Sequence, residues 1–215
     1  MTAERGVFIT IEGIEGVGKS TQLSRFVRVL EQKGLPLDVT REPGGTPTAE
    51  VIRSLLIEHG DEPIPRSAEV LLMFAARALH VENRIRPALE AGTWVVSDRF
   101  VDASRAYQGG GRGIPESTIE TLAELALNGL EPDVTILLDA PVEVGMARAA
   151  ARGDKDRFEL ENHAFFERVR AAYLSIAHAC PERFVVIDAS GGVDEVGDAV
   201  ERAAHEVIDR FKNNF

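Results

Sequence analysis

Cysteine is nearly absent from this sequence, since Cys180 is the only one in 215 residues. No disulfide can therefore form within the chain, which indicates a reducing compartment. The neighbours of Cys180 form no recognisable nucleophile or metal motif, so we interpret it as a packing residue. Long apolar runs are also missing: none approaches the ~20 residues that span a bilayer, and the run near the N-terminus is too short for a signal-peptide core. We expect a cytoplasmic protein with no membrane partner.

Positive charge is scarce as well. The 24 lysines and arginines face 35 aspartates and glutamates, which gives a formal net charge of −11. A nucleic-acid polymer is therefore not expected as a partner, because binding its backbone requires a positive surface. A small phosphorylated substrate held by a few local arginines is compatible with this charge. The chain contains no repeat and no linker of domain size, so we predict a single domain over residues 1–215.

One glycine-rich stretch carries a strong functional signature. It matches the pattern G-x-x-x-x-G-K-[ST] with Gly13, Ile14, Glu15, Gly16, Val17, Gly18, Lys19 and Ser20. An apolar run precedes it and an amphipathic helical stretch follows from Thr21. We include Thr21 among the residues predicted to bind the nucleotide. Glycines let successive backbone N–H groups surround a phosphate, and the helix N-terminus adds partial positive charge. Lys19 is predicted to reach the β- and γ-phosphates of a nucleoside triphosphate, and Ser20 to ligate Mg2+.

Short apolar runs alternate with longer amphipathic stretches along the chain. The apolar runs predict five strands, at residues 7–11, 37–40, 93–97, 134–139 and 184–188. The helical stretches between them predict a parallel sheet with helices on both faces, an α/β fold of the P-loop NTPase type. Ligands of such sheets bind beyond the carboxyl ends of the strands, where the P-loop, Glu42, Asp98, Arg99 and Asp139 lie. We predict a loop at residues 109–113, where glycine dominates.

Several segments agree with one known family. They read Glu-Gly-Ile-Glu-Gly at residues 12–16, Thr-Arg-Glu-Pro-Gly-Gly-Thr at 40–46, Asp-Arg-Phe at 98–100, Ala-Tyr-Gln-Gly at 106–109 and Leu-Leu-Asp-Ala-Pro at 137–141. A chain with these segments in this order resembles bacterial thymidylate kinase, which phosphorylates dTMP to dTDP with ATP. The resemblance implies this activity, with ATP and dTMP as ligands, Mg2+ as cofactor and a homodimer as the assembly.

The resemblance also implies roles around the acceptor phosphate and sugar. Glu15 is similar to the carboxylate that accepts a hydrogen bond from the 3′-hydroxyl of the substrate. Arg53 and Arg99 resemble the arginines that hold the monophosphate, a task suited to the bidentate guanidinium group. Asp98 resembles the acidic residue that steadies Mg2+ without being one of its inner ligands. Tyr107 resembles the ring that closes against the 2′ position of the sugar and so favours deoxyribose.

Further residues are assigned to the nucleotide on the same basis. Arg77 matches the arginine that reaches the thymine carbonyl, Ser104 and Gln108 resemble nucleotide contacts, and Glu42 and Pro43 belong to the substrate site. The family often has a base-stacking phenylalanine four residues before that arginine, where this chain has Met73. Phe74 lies three residues before it, on the same helical face. We favour Phe74 as the stacking residue and leave Met73 as the alternative.

A charged, broken stretch near residues 148–160 resembles the lid of one subgroup of this family. The variable positions of the P-loop contain no arginine, whereas the stretch contains Arg148, Arg152, Lys155 and Arg157. The resemblance implies that Arg148 contacts the bound ATP and that Arg152 and Arg157 join Lys19 and Arg99 in neutralising the transferring phosphoryl group. By charge pattern alone a solvated surface loop is the alternative.

Two other functions remain open. A different P-loop nucleoside or nucleoside-monophosphate kinase would keep the P-loop and the lid and change the acceptor. A GTP-binding switch or an ATPase would be expected to carry a guanine-reading N-K-x-D segment or a glutamine after a D-x-x-G turn, and the sequence contains neither.

Overall fold

Five parallel strands form the single sheet of the described chain. The computed structural model of the protein describes residues 5–57, 62–151, 157–158 and 160–212. The strands are β1 (Phe8–Glu12), β2 (Leu37–Arg41), β3 (Trp94–Asp98), β4 (Val134–Asp139) and β5 (Phe184–Asp188), in the spatial order β2-β3-β1-β4-β5. All four pairings are parallel. The predicted α/β fold with a five-stranded parallel sheet is confirmed.

Helices connect successive strands and cover both faces of the sheet. They are α1 (Lys19–Gln32), α2 (Pro47–Ile57), α3 (Arg66–His80), α4 (Arg86–Glu90), α5 (Val101–Ser104), α6 (Glu116–Leu127), α7 (Val142–Ala150), α8 (His163–Ala179) and α9 (Val193–Lys212). Two π-helical segments, Val81–Ile85 and Arg105–Gly111, join α3 to α4 and extend α5. No helix among the residues described has both the length and the apolar character needed to cross a membrane.

The buried side chains form two clusters. The larger cluster includes Phe26, Leu30 and Tyr173. In the smaller cluster Phe8 and Phe100 pack edge to face, with ring centroids 4.8 Å apart. Every residue of β1 is buried, which explains why its sequence is an apolar run instead of an alternating one.

Two local expectations are wrong. Residues 109–111 are π-helical instead of forming a loop. A Cβ atom at Gly111 would lie 2.5 Å from the ring of Phe165, and one at Gly110 would lie 2.6 Å from Ala172. These glycines therefore allow close packing against α8 and are not needed for a chain reversal. Cys180 follows α8 and is exposed, so it is not a packing residue.

Candidate active site

The P-loop takes its shape from glycines in conformations that other residues rarely adopt. Gly13, Gly16 and Gly18 have φ angles of 141°, 74° and 93°. A Cβ atom at Gly16 would lie 1.9 Å from the carbonyl oxygen of Gly145 in α7, so a side chain is excluded there. Helix α1 begins at Lys19, two residues earlier than the sequence suggests, so its N-terminus opens directly onto the loop. Loop and helix together form a backbone site for an anion.

Lys19 lies inside this loop. Its Nζ atom donates to the carbonyl oxygens of Gly13 and Ile14 at 3.1 and 2.8 Å. The same atom lies 3.6 Å from the Glu15 carboxylate. Burial lowers the pKa of Lys19, the charge of Arg99 lowers it further, and Glu15 partly offsets both effects. The ammonium group thus spans the concave side of the loop, where phosphates would bind.

A cavity of about 460 Å³ opens beyond the carboxyl ends of the strands. Most of the residues predicted for the site line it: Glu15, Gly16, Gly18, Lys19, Ser20, Thr21, Glu42, Pro43, Arg53, Arg77, Asp98, Arg99, Ser104, Tyr107, Gln108 and Arg148. The other three loop residues, Gly13, Ile14 and Val17, are buried and do not line the cavity. Arg152 lies outside the described residues, so the structure says nothing of its position. The lining also includes Arg41, Ile57, Ala103 and Phe158, which the sequence analysis did not assign to the site. Met73, named there as the alternative to Phe74, lines the cavity as well.

Arg99 connects the P-loop with Tyr107. It follows β3 with a φ angle of 72°, which is uncommon for a residue with a side chain. Its Nη2 atom donates to Glu15 Oε1 at 2.7 Å and to the Tyr107 hydroxyl at 3.1 Å, and Nη1 donates to the Gly13 carbonyl at 3.0 Å. The Tyr107 hydroxyl also donates to Glu15 at 3.0 Å. The unusual backbone thus directs a guanidinium group between the loop and the ring.

These contacts keep Glu15 ionised. Burial alone would raise the pKa of its carboxyl, but the charges of Arg99 and Lys19 outweigh burial and lower the pKa to about 2. Because the pKa of this carboxyl is lower in the folded protein than in the unfolded chain, its ionised form stabilises the fold at any pH above the unfolded-chain pKa. This contribution is lost as the pH falls towards 2. Glu15 is therefore an acceptor of hydrogen bonds at neutral pH.

Arg77 on α3 lines the cavity and is held in place by three hydrogen bonds. Its Nε atom donates to Glu42 Oε2 at 2.7 Å, Nη1 to the Ser104 hydroxyl at 3.0 Å and Nη2 to the Phe100 carbonyl at 3.0 Å. The second oxygen of Glu42 lies 3.0 Å from His80 Nδ1. Sequence reasoning missed His80, and the only available signal was its position one helical turn after Arg77. Glu42 thus acts as the partner that orients Arg77.

The structure reverses the preference between Phe74 and Met73. Phe74 belongs to the core together with Phe8 and Phe100, and its ring lies 4.7 Å from the Arg77 guanidinium carbon. Met73 lines the cavity. Phe74 therefore packs against Arg77 within the core, and Met73 is the residue that faces the cavity.

Arg157 is bound away from the P-loop. Its Nη2 atom lies 2.7 Å from Glu69 Oε2, and its Nε atom donates to the Leu56 carbonyl at 2.8 Å. It does not line the cavity, whereas the adjacent Phe158 does. To meet a phosphoryl group as predicted, Arg157 would first have to leave both partners.

Two oxygen atoms suit a magnesium ion. Asp98 Oδ1 is buried and has no hydrogen-bond partner among the residues described, and both Asp98 and Ser20 line the cavity. A carboxylate and a hydroxyl are ligands of the hard oxygen type that Mg2+ prefers. The residues present therefore fit this ion.

The sheet order, the glycine loop at the end of β1 and the cavity beyond the strands define a P-loop enzyme that binds a nucleoside triphosphate. A model of the thymidylate kinase family matches residues 11–200. Thymidylate kinase from Neisseria meningitidis serogroup A is 52% identical over 203 residues, which cover 94% of this chain and 96% of the relative. The enzyme from Pseudomonas putida is 49% identical over 207 residues, with coverages of 96% and 99%.

A solved structure agrees with these relatives. Thymidylate kinase from Ehrlichia chaffeensis superimposes with a TM-score of 0.73 at 32% identity and covers 93% of this chain and 98% of that one. The chain therefore belongs to the thymidylate kinase family.

Proposed function

We propose that this protein transfers the γ-phosphoryl group of ATP to the phosphate of dTMP and releases dTDP and ADP. The observation that carries this function is a single cavity with a P-loop at one end and the buried, hydrogen-bonded Arg77 at the other. The first end suits a polyphosphate, and the second suits the carbonyl edge of a pyrimidine. Arg53 and Arg99 also line this cavity, and an acceptor phosphate would lie beside them.

The donor side uses the P-loop. Successive backbone N–H groups and the N-terminus of α1 bind the phosphates of ATP. Lys19 exchanges its contacts with the loop carbonyls for the β- and γ-phosphates. Arg148 lines the cavity and donates to the carbonyls of Ala189, Ser190 and Gly191 at 2.7, 3.0 and 2.8 Å, so it braces the β5–α9 connection beside the nucleotide. A magnesium ion held by Ser20, with Asp98 nearby, would neutralise part of the phosphate charge.

The acceptor side uses side chains. Arg53, whose Nη1 atom donates to the Pro43 carbonyl at 2.8 Å, binds the dTMP phosphate together with Arg99. Glu15 accepts the 3′-hydroxyl, and the Tyr107 ring closes the 2′ side of the sugar. The base faces Arg77, Ser104 and Gln108 and packs against Met73.

Phosphoryl transfer needs alignment and charge more than covalent chemistry. An oxygen of the dTMP phosphate attacks the γ-phosphorus, so no general base is required. Lys19 and Arg99 stabilise the charge on the transferring group, and Arg152 and Arg157 are the further candidate cations. Closure of residues 148–160 as a lid would keep water from competing with dTMP.

A homodimer in the cytoplasm completes the proposal. Leu71 on α3 and Leu125 on α6 are large apolar side chains with exposed fractions of 57% and 82%, and these two helices pack against each other. A paired copy of the chain would cover them. Light scattering that finds only monomers at micromolar concentration would remove this part of the proposal.

An acceptor panel tests the function. ADP formation from ATP is measured with dTMP, dUMP, dCMP, AMP or no acceptor. We expect the highest kcat/KM with dTMP and little ADP without an acceptor. Preferred use of dCMP or AMP would favour another monophosphate kinase, and ADP formation that ignores the acceptor would favour an ATPase.

A further inference from the structure

Glu69 on α3 is a buried carboxylate to which the mechanism assigns no role. Its exposed fraction is 1%. Its Oε1 atom accepts from Gln108 Nε2 at 2.9 Å and lies 3.3 Å from Arg112 Nε, while Oε2 lies 2.7 Å from Arg157 Nη2. Glu69 does not line the cavity, but Gln108 does. The carboxylate therefore contacts the site only through another side chain.

The charge of Glu69 decides which way the Gln108 amide faces. Both oxygens of the Glu69 carboxylate face N–H donors, so they act as hydrogen-bond acceptors. The amide nitrogen of Gln108 must therefore face Glu69, because the alternative would oppose two acceptors inside the protein. Gln108 itself has an exposed fraction of 1%, so water cannot compensate for a reversed amide. Its carbonyl oxygen is left as the group that can meet a ligand.

We propose that Glu69 is a positioning residue for base selection, which presents the carbonyl oxygen of Gln108 to the nucleobase and withholds the NH2 group. This inference rests on the proposed use of dTMP. Thymine has one donor on its pairing edge, N3–H, and its two carbonyl groups are acceptors. An acceptor supplied by the protein can serve only N3–H, while Arg77 supplies the donors.

The same arrangement acts against cytosine. The N3 atom of cytosine is an acceptor, and its 4-amino group is a donor that would meet Arg77. Both contacts would leave buried polar groups unpaired or opposed, and a site built from such groups discriminates strongly. A reversed amide would turn the Gln108 contact from repulsion into a hydrogen bond with cytosine N3. Base selection thus depends on a carboxylate that the base does not touch.

Glu69→Gln tests the proposal because a glutamine at this position can donate to Gln108 Oε1 and permit the reversed amide. The readout is the ratio of kcat/KM for dCMP to kcat/KM for dTMP, which a loss of stability alone does not change. We expect this ratio to rise at least about tenfold, mainly through a higher KM for dTMP. Glu69→Asp stays an acceptor and should keep the ratio within about threefold of wild type. Glu161→Gln is the matched control, since Glu161 also pairs with Arg112 but has no contact with Gln108.

A folded Glu69→Gln protein with the wild-type ratio would overturn the proposal, as would an equal rise in Glu69→Asp or Glu161→Gln. Should Glu69→Gln fail to fold, a neutron structure of the wild-type protein with dTMP decides. Deuterons on the Gln108 atom that faces Glu69 support the proposal, and deuterons on the atom that faces the base refute it. A wild-type enzyme that does not phosphorylate dTMP would instead refute the proposed function, whichever way the amide points.

Discussion

The proposed phosphate end and the proposed base end of the cavity are built in different ways. At the phosphate end the binding groups are mostly backbone, and the residues that shape them fall within the eight-residue motif that ends at Ser20. At the base end the groups are side chains held by partners far away in sequence: Arg77 and Glu42 are 35 residues apart, and Gln108 and Glu69 are 39 apart. The first end is therefore of a kind common to many nucleotide-binding proteins, and we propose that the second end carries the specificity.

Lys19→Ala should have the largest effect, because it removes the main side-chain charge of the backbone-built end. We expect kcat to fall by about 10^3-fold, while the circular-dichroism spectrum and the thermal midpoint stay close to wild type. Lys33→Ala, in an exposed residue at the end of α1, is the matched control and should keep full activity. A folded Lys19→Ala protein with near wild-type kcat would remove the P-loop assignment.

Arg157→Ala and Arg53→Ala should separate catalysis from acceptor binding. A cation used only in the closed, reacting state affects kcat more than ground-state binding. We expect Arg157→Ala to lower kcat by at least about tenfold with a smaller change in the KM for dTMP, and Arg53→Ala to raise this KM most. An unchanged kcat for Arg157→Ala, with a raised dCMP to dTMP ratio, would mean that Arg157 acts only by holding Glu69.

Tyr107→Ala should weaken sugar selection by a smaller factor. The ratio of kcat/KM for dTMP to kcat/KM for its ribose counterpart should fall about fivefold, mainly because kcat/KM for the ribonucleotide rises. Tyr107→Phe keeps the ring and loses the hydroxyl contacts with Glu15 and Arg99, so it should keep most of the preference. Equal ratios of kcat/KM in the wild type and Tyr107→Ala would show that discrimination lies elsewhere.

The smallest effect concerns Glu12, which lies under the P-loop. Burial raises the pKa of its carboxyl to about 8, although Arg99 and hydrogen bonds from Tyr173 and Phe100 oppose this. Because the pKa of Glu12 is higher in the folded protein than in the unfolded chain, its contribution to the free energy of unfolding is complete at any pH below the unfolded-chain pKa. The contribution is lost as the pH rises towards 8, by about 1.4 kcal/mol per pH unit at most. Glu12→Gln should therefore become more stable relative to wild type between pH 6 and pH 8.5.

Thermal midpoints of both proteins across this range provide the measurement. Glu31→Gln, in an exposed side chain of α1, is the control and should follow wild type at every pH. Midpoints of Glu12→Gln that run parallel to those of wild type would contradict the raised pKa.

The difference between the two ends also explains what the sequence predicted. The P-loop and the strand ends follow from local patterns, because glycine conformations and apolar runs act over a few residues. The partners of Arg77 and Gln108 do not, since Glu42 and Glu69 reach them only through tertiary packing. Met73 and Phe74 share a helical face in the sequence pattern, and only the packing of Phe74 against Phe8 and Phe100 decides which one faces the cavity.

Transfer of label from ATP to dTMP tests the central claim most directly. The protein is incubated with ATP labelled in the γ-phosphoryl group and with dTMP, and the products are separated. We predict that the label appears in the terminal phosphate of dTDP in a one-to-one ratio with ADP, and that Lys19→Ala slows its appearance by about 10^3-fold. Label released as inorganic phosphate, or ADP formed without labelled dTDP, would contradict the account.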